Sequence, residues 1–338
     1  MAIGSFFCWP KRVVSGPGAI QELDVIIKEM GKNRVIVITD KVMQQLPLVT
    51  NMVDKLKNAG LNVSVFGDIG PNPVEEMVHN AVAFMQEVNP EVLVCIGGGS
   101  PIDAGKAANV VFTHGGIVND YDIAIGGIMK ITPKLLPLIA IPTTAGTGTE
   151  VTFVGVITDT TKQTKFGVLS PLLIPDVALL DPELTISMPP SLTAFTGIDA
   201  LTHCIEAYTS IGGYPPAEAL ALHGIKMISP SLRTPVQDGQ DLQAREEMLT
   251  ASMMAGTAFS LNGLGACHAM AHQLSAIFDI PHGLANAILL PRVMKYNIPA
   301  NPQKFAAIAE AMGADIRGLP VQQAAEKALA LVEQLAAD

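Results

Sequence analysis

Three of the chain's seven histidines fall within "GACHAMAHQLSAIFDIPHG", Gly265 to Gly283. His268 and His272 are four apart and share a face if the segment is helical. His282 follows between Pro281 and Gly283. Upstream, "GIDALTHCIEA" sets Asp199 and His203 at the same spacing. Burying such groups unpaired in apolar surroundings is costly. Either each is a hydrogen-bonded core residue, or they gather around a divalent cation. A carboxylate with imidazole nitrogens suits Zn²⁺ or Fe²⁺ and leaves a position open for substrate. Five candidates exceed the roughly four positions of such a site, so one serves elsewhere, and spacing alone leaves open which. No HExxH is present, which argues against a hydrolytic zinc site. Cys204 and Cys267 each adjoin a histidine, but neighbours on a helix point about 100° apart, so neither is expected to be a ligand. His79, His114 and His223 lie in ordinary segments and receive no role.

A second chemistry sits in "IGGGSPIDAGK". Gly97, Gly98 and Gly99 permit positive φ and close backbone approach to a ligand. Ser100 reads as an N-cap, Pro101 as the first helical residue, and Asp103 falls in the first turn. A helix N-terminus with free N–H groups suits phosphate. A tight turn without a ligand is the plainer alternative, and the pattern is not GxGxxG. "IPTTAGTGTE" offers the hydroxyls of Thr143, Thr144, Thr147 and Thr149 around Gly146 and Gly148. Two polar, glycine-rich loops at the carboxyl ends of parallel strands suit a dinucleotide. Asp40 ends the strand "NRVIVITD". Its carboxylate would accept from an adenosine ribose and repel a 2′-phosphate, favouring NAD over NADP; a turn or cap role is the alternative.

The elements that must position these groups alternate through the first half. "NRVIVITD", "LNVSVFGDI", "EVLVCIGGGS" and "KLLPLIAIPTT" read as strands; "LPLVTNMVDKLKNAG", "PVEEMVHNAVAFMQEVNP" and "PIDAGKAANVVF" read as helices. This rhythm indicates a parallel sheet covered on both faces. After about Asp181 the texture becomes helical throughout. We therefore expect an α/β, Rossmann-like dinucleotide-binding domain over residues 1–183 and an all-α metal-binding domain over 184–338. The chain has 338 residues, 49% apolar and 15% charged, which suits two compact cores. A net charge of −10 disfavours nucleic acid as a partner. The start "MAIGSFFCWPKRVV" lacks a basic, then apolar, secretory pattern. The longest apolar runs fall short of the ~20 residues of a membrane span. The four scattered cysteines read as reduced thiols in a cytoplasmic protein.

"GGGSPIDAGKA", "IPTTAGTGTEVT", "GIDALTHCIEAY" and "GACHAMAHQL…DIPHGLANAILLP", in this order, resemble the iron-containing (group III) alcohol dehydrogenases over nearly the whole chain. The resemblance implies a dehydroquinate synthase-like architecture. It implies that Asp199, His203, His268 and His282 ligate Fe²⁺, with Zn²⁺ as the other possibility, and that His272 lies beside nicotinamide and substrate as the catalytic proton relay. It implies NAD(H) contacts from Asp40, Asn72, Gly97, Gly98, Gly99, Ser100, Asp103, Thr143, Thr144, Thr147, Thr152 and Lys165. Val154 and Phe259 match positions lining the substrate pocket, and both are apolar, which suits a small primary alcohol or short diol and its aldehyde. A homodimer or larger homo-oligomer is also implied. Two rivals remain at this stage: a zinc-dependent, glycerol dehydrogenase-like polyol oxidoreductase, and a non-catalytic dinucleotide-binding protein. Two departures stand out. The family usually continues beyond "LVEQLAAD" with further helices that would pack on the helical domain and supply part of the pocket wall, so the usual C-terminal tail is expected to be lacking here, either because the sequence is truncated or because this is a shortened relative. Ser275 stands where glycine is common.

Overall fold

The structure, a computed structural model, describes residues 7–338. The first six residues, on which part of the reading against a secretory signal falls, lie outside the described residues. The chain folds as two compact units. One comprises residues 8–143 and 149–184. The other comprises 144–148 and 185–338, together with Phe7.

The first unit is built on a six-stranded, all-parallel sheet. In chain order its elements are β1 (Arg12–Ser15), α1 (Leu23–Glu29), β2 (Arg34–Asp40), α2 (Pro47–Asn58), β3 (Asn62–Ile69), α3 (Glu75–Val88), β4 (Val92–Gly97), α4 (Gly99–His114), β5 (Leu138–Pro142), β6 (Val154–Asp159), β7 (Thr164–Leu169) and β8 (Val177–Leu180). The sheet order is β1-β8-β5-β4-β2-β3. Strand side chains alternate between faces, and β2 shows the result. Ile36 and Ile38 pack with Val78, Met85 and Ile102 of α3 and α4. Val35 and Val37 pack with Ile26, Val49 and Met52 of α1 and α2. Both faces are therefore buried, which is why these strands are continuous β-branched runs without polar alternation. The chain runs outward from β2 to β3, then returns to place β4 on the other side of β2. The strand order thus reverses between β2 and β4, where open parallel sheets bind ligands beyond their carboxyl ends.

The sequence pattern does not indicate β1, α1, β8 or the antiparallel pair β6–β7. β1 and β8 have only four residues each and are paired across a long sequence separation, too short for a periodic signal. The β6–β7 connection carries no Asn-Gly or Asp-Gly turn; its left-handed residue is Gln163 at φ 53°. The glycine turn also differs by two residues from the expectation. α4 begins at Gly99 with Gly98 as N-cap, not at Pro101 with Ser100 as N-cap. Proline is tolerated within the first turn, because the first N–H groups of a helix have no intrahelical partner, and the glycines let the helix start earlier.

The second unit is helical: α5 (Pro190–Thr209), α6 (Pro215–Ser231), α7 (Arg233–Gln237), α8 (Leu242–Asn262), α9 (Ala266–Phe278), α10 (His282–Asn297), α11 (Pro302–Ala311) and α12 (Val321–Ala337). Prolines open α5, α6 and α11, where a missing N–H and a fixed φ suit the first turn. α5 packs against α6, α8 and α10. Its approach to α10 depends on Gly283, where a Cβ would overlap the Phe195 carbonyl oxygen. The segment 144–148 belongs to this unit, with Gly148 against Gly256 of α8: a Cβ on Gly256 would meet the Gly148 carbonyl oxygen at 2.5 Å. Among the described residues no helix is long and apolar enough to cross a membrane.

Candidate active site

Four helical positions build the centre of the second unit. Asp199 and His203 lie one turn apart on α5; His268 lies in the first turn of α9; His282 is the first residue of α10. The short link between α9 and α10 sets the last of these. It turns through Asp279, a left-handed C-cap at φ 54°. Ser275 ties it down by donating from Oγ to the Ile280 carbonyl at 3.0 Å.

The carboxylate of Asp199 is the hub. Its Oδ1 stands 3.4 Å from His268 Nε2, 3.6 Å from His282 Nε2 and 3.9 Å from His203 Nε2. Ligand atoms of Asp199, His268 and His282 all lie within 4.8 Å of one another. His203 has its Nδ1 3.2 Å from the Gly146 carbonyl. An Nδ1–H donated there leaves Nε2 with its lone pair on the Asp199 side. Its ring stacks between His268 at 4.4 Å and Phe259 at 4.5 Å. His272 lies beside two of these rings. Its ring lies 5.1 Å from that of His282 and 6.1 Å from that of His268.

Two participants escape the sequence reading. Glu206 Oε2 lies 2.6 Å from His268 Nδ1. The Asn286 amide nitrogen donates to Asp199 Oδ1 at 2.7 Å and faces His268 Nε2 at 3.2 Å and His282 Nε2 at 3.3 Å. A signal for both exists in the spacing. Asp199, His203 and Glu206 follow the i, i+4, i+7 stripe of one helix face, and Asn286 lies one turn after His282.

Electrostatics follow from burial and from the crowd of imidazoles. Burial works to raise the Asp199 pKa, but His203, His282 and His268 outweigh it and hold the carboxyl well below its usual range. Burial lowers His203 to about 4, with Asp199 opposing and the neighbouring rings adding to the fall. Burial also opposes charge on His268, but hydrogen bonds to Asp199 and Glu206 prevail and raise it to about 9. A carboxylate and imidazoles whose Nε2 atoms converge, so closely that one amide nitrogen reaches three of the acceptors, fit a divalent cation. The cysteines do not join this set. Cys267 directs its sulfur at Asn286, 3.5 Å from Oδ1. Cys204 is buried where a Cβ on Gly224 would touch its sulfur.

The first unit gathers its own group near the sheet's switch point. Gly97 has φ 145° and its carbonyl accepts from the Thr143 N–H at 2.8 Å, which joins the two glycine-rich loops. Asp103 accepts from the Thr149 hydroxyl. Beneath them Lys106 is fully buried and donates to the carbonyls of Thr149 at 2.7 Å, Thr152 at 2.8 Å and Val154 at 3.1 Å. Burial brings its pKa down to about 8, with Asp103 and Glu150 opposing. Lys165 donates to Asn72 Oδ1 at 2.9 Å, so these two candidates meet; Asn72 holds φ 50°. Asp40 Oδ1 accepts from the N–H groups of Val42 and Met43 at 2.9 and 2.8 Å, so at least one of its oxygens serves a turn. Val154 opens β6, while Thr144 and Thr147 belong to the segment packed in the helical unit. His79 accepts from the Val118 N–H, and His114 contacts Thr132; neither joins either group.

A parallel sheet with a glycine turn at its reversal, carried with a helical unit that gathers one carboxylate and imidazoles, defines a class of two-unit dinucleotide and metal proteins. The sequence profile "Iron-containing alcohol dehydrogenase" matches residues 10–182, and the profile "Fe-containing alcohol dehydrogenase family, C-terminal" matches residues 193–338. The chain belongs to the iron-containing alcohol dehydrogenase family. It is 42% identical over 325 residues to a 1,3-propanediol dehydrogenase of Klebsiella pneumoniae, covering 96% of this chain and 83% of that protein. It is 38% identical to an NAD-dependent methanol dehydrogenase of Bacillus methanolicus, covering 98% of this chain and 85% of that protein. The crystal structure of a 1,3-propanediol oxidoreductase superposes with a TM-score of 0.95 at 41% identity, covering 99% of this chain and 86% of that one. The glycerol dehydrogenase-like alternative is not favoured by these relatives.

Proposed function

We propose that this chain is an NAD(H)- and metal-dependent oxidoreductase that interconverts small primary alcohols or short diols with their aldehydes. The carrying observation is the convergence of Asp199, His268 and His282 on one point of the helical unit, in a chain matched along nearly its whole length by the family's profiles. We assign His203 as the fourth ligand, since its Nε2 also faces the Asp199 carboxylate, and Fe²⁺ as the resident ion.

A divalent cation held by these side chains supplies Lewis acidity toward a hydroxyl or carbonyl oxygen. The nicotinamide supplies the hydride chemistry. The protein's part is placement and proton handling. Oxidation of a primary alcohol releases the hydroxyl proton, and His272, beside the cluster but outside its hub, takes that proton and passes it to water. Phe259, stacked on His203, gives the substrate an apolar wall in the helical unit, Val154 is the apolar candidate of the first unit, and neither offers a polar group to a functionalised chain. In the first unit, Gly97 to Ser100 at the start of α4 present N–H donors to a pyrophosphate. Asp103, Thr143, Thr144, Thr147 and Thr152 supply polar contacts beside it. Asn72 and Lys165 act as a pair, and Asp40 sets the preference for NAD over NADP.

The test is a panel of short alcohols, diols and aldehydes with NAD(H) and NADP(H), on protein stripped by chelator and refilled separately with Fe²⁺ or Zn²⁺. The expected result is turnover of the short primary substrates with NAD(H), highest in the iron-filled enzyme. Dinucleotide binding without turnover in either filled form would instead support the non-catalytic reading.

A further inference from the structure

We propose that Glu206 is a positioning residue of the metal centre: it fixes His268 as the tautomer protonated on Nδ1, so that Nε2 carries the lone pair offered to the cation. This rests on the metal-centre reading above.

Glu206 is buried, and every group that the hydrogen bonds bring to its carboxylate is a donor. Oε1 accepts from the Cys267 backbone N–H at 2.7 Å. Oε2 faces the His268 backbone N–H at 3.4 Å and His268 Nδ1 at 2.6 Å. An ionised carboxylate only accepts, so Nδ1 must bear the proton. The opposite ring nitrogen, Nε2, faces the Asn286 amide nitrogen at 3.2 Å and Asp199 Oδ1 at 3.4 Å. The contacts at the two nitrogens therefore select one ring orientation.

The carboxylate is itself held from two sides. It projects from α5, on the stripe that carries Asp199 and His203, and it caps the N-terminus of α9 from that separate helix. Gly265 makes room for it, since a Cβ there would lie 2.8 Å from Oε1. One side chain thus ties the α5 ligands to the α9 ligand. It also raises the basicity of His268, as a carboxylate behind a ligating imidazole does.

Glutamine is nearly isosteric but cannot reproduce this pattern, because its amide must turn an N–H toward one of the donors. In Glu206→Gln the side chain either abandons the α9 cap or drives the His268 proton to Nε2, where it blocks ligation. We expect Glu206→Gln to bind Co²⁺, in competition with a chelating dye, about 10- to 100-fold more weakly than the wild type, with an altered visible spectrum of the bound cobalt. Asp241→Ala, which removes the cap of α8 far from the ligands in sequence, lowers stability while leaving cobalt affinity unchanged. Equal weakening in both variants would reduce Glu206 to a cap and overturn the proposal, as would cobalt affinity in Glu206→Gln within twofold of wild type. Should Glu206→Gln fail to fold, ¹⁵N resonances of the zinc-loaded wild type decide. A protonated Nδ1 and a ligated Nε2 on His268 support the proposal, and the reverse overturns it. If the wild type itself binds no cobalt, the metal-centre reading falls and takes this inference with it; an unaffected Glu206→Gln removes only the inference.

Discussion

His272 and Glu150 show how differently two titratable side chains serve the same molecule. His272 stands beside the histidine cluster, its ring 5.1 Å from that of His282, and in the proposed mechanism its loss removes a proton path rather than a ligand. His272→Ala is expected to lower turnover by roughly 100-fold or more while metal content per chain, measured by elemental analysis, stays at the wild-type level. Asp199→Asn is expected to do the opposite and lose metal outright, because it takes away the carboxylate at the hub. Glu150 belongs to neither chemistry. It is 1% exposed and its Oε1 accepts no hydrogen bond among the described residues. Burial raises its pKa from 4.5 to about 7, with its own backbone and Lys106 opposing. The folded state therefore holds this proton more tightly than the unfolded chain does, and the group's contribution to stability falls as pH rises from the unfolded value toward 7. Glu150→Gln has no such titration. Relative to wild type it should gain on the order of 2 kcal/mol between about pH 5 and pH 8, read from denaturant unfolding at the two pH values.

At the scale of elements, the proposed metal centre depends on how closely helices can approach. α5 supplies Asp199 and His203, and α10 supplies His282, so the distance between these helices sets the distance between the proposed ligands. Gly283 permits that approach. In Gly283→Ala the new methyl would collide with a backbone carbonyl, which cannot swing aside as a side-chain tip would. Overpacking of this kind costs about 1–3 kcal/mol, and the helices must separate to relieve it. The variant should melt at lower temperature and retain less metal after dialysis, whereas His272→Ala retains it. In the α/β unit the corresponding device is Lys106. Its three carbonyl acceptors lie on one short stretch of chain, Thr149 to Val154, so a single buried cation shapes the second glycine-rich loop. Lys106→Met leaves those carbonyls without their donor, and at about 1 kcal/mol per lost hydrogen bond the cost is roughly 3 kcal/mol by chemical denaturation.

For the molecule as a whole, metal and dinucleotide should each stabilise the fold. Ligands that bind only the folded state stabilise it, by ~2.7 kcal/mol at one hundred times Kd. In calorimetry of chelator-stripped protein, added metal and added NADH should each raise the Tm. A Tm unchanged by either ligand would contradict the proposed binding of that ligand. The architecture was readable in the sequence because it rests on local periodicity: β-branched runs buried on both faces, amphipathic helices between them, and an all-helical second half. The family was readable because "DALTH", "HAMAH" and "PHG" keep chemistry-bearing residues at short, fixed spacings. Other features depended on partners distant in the chain. The strands β1 and β8 exist only through pairing with each other and the sheet. The start of α4 moved because backbone freedom at glycine, not the side-chain signals around it, decided where the helix began. Glu206 and Asn286 look like ordinary polar helix residues until α5, α9 and α10 are packed together. Spacing along one helix determines which side chains share a face. Only tertiary packing determines which faces meet, and with it that Glu206 stands behind Nδ1 of His268 while Asp199 and Asn286 face its Nε2.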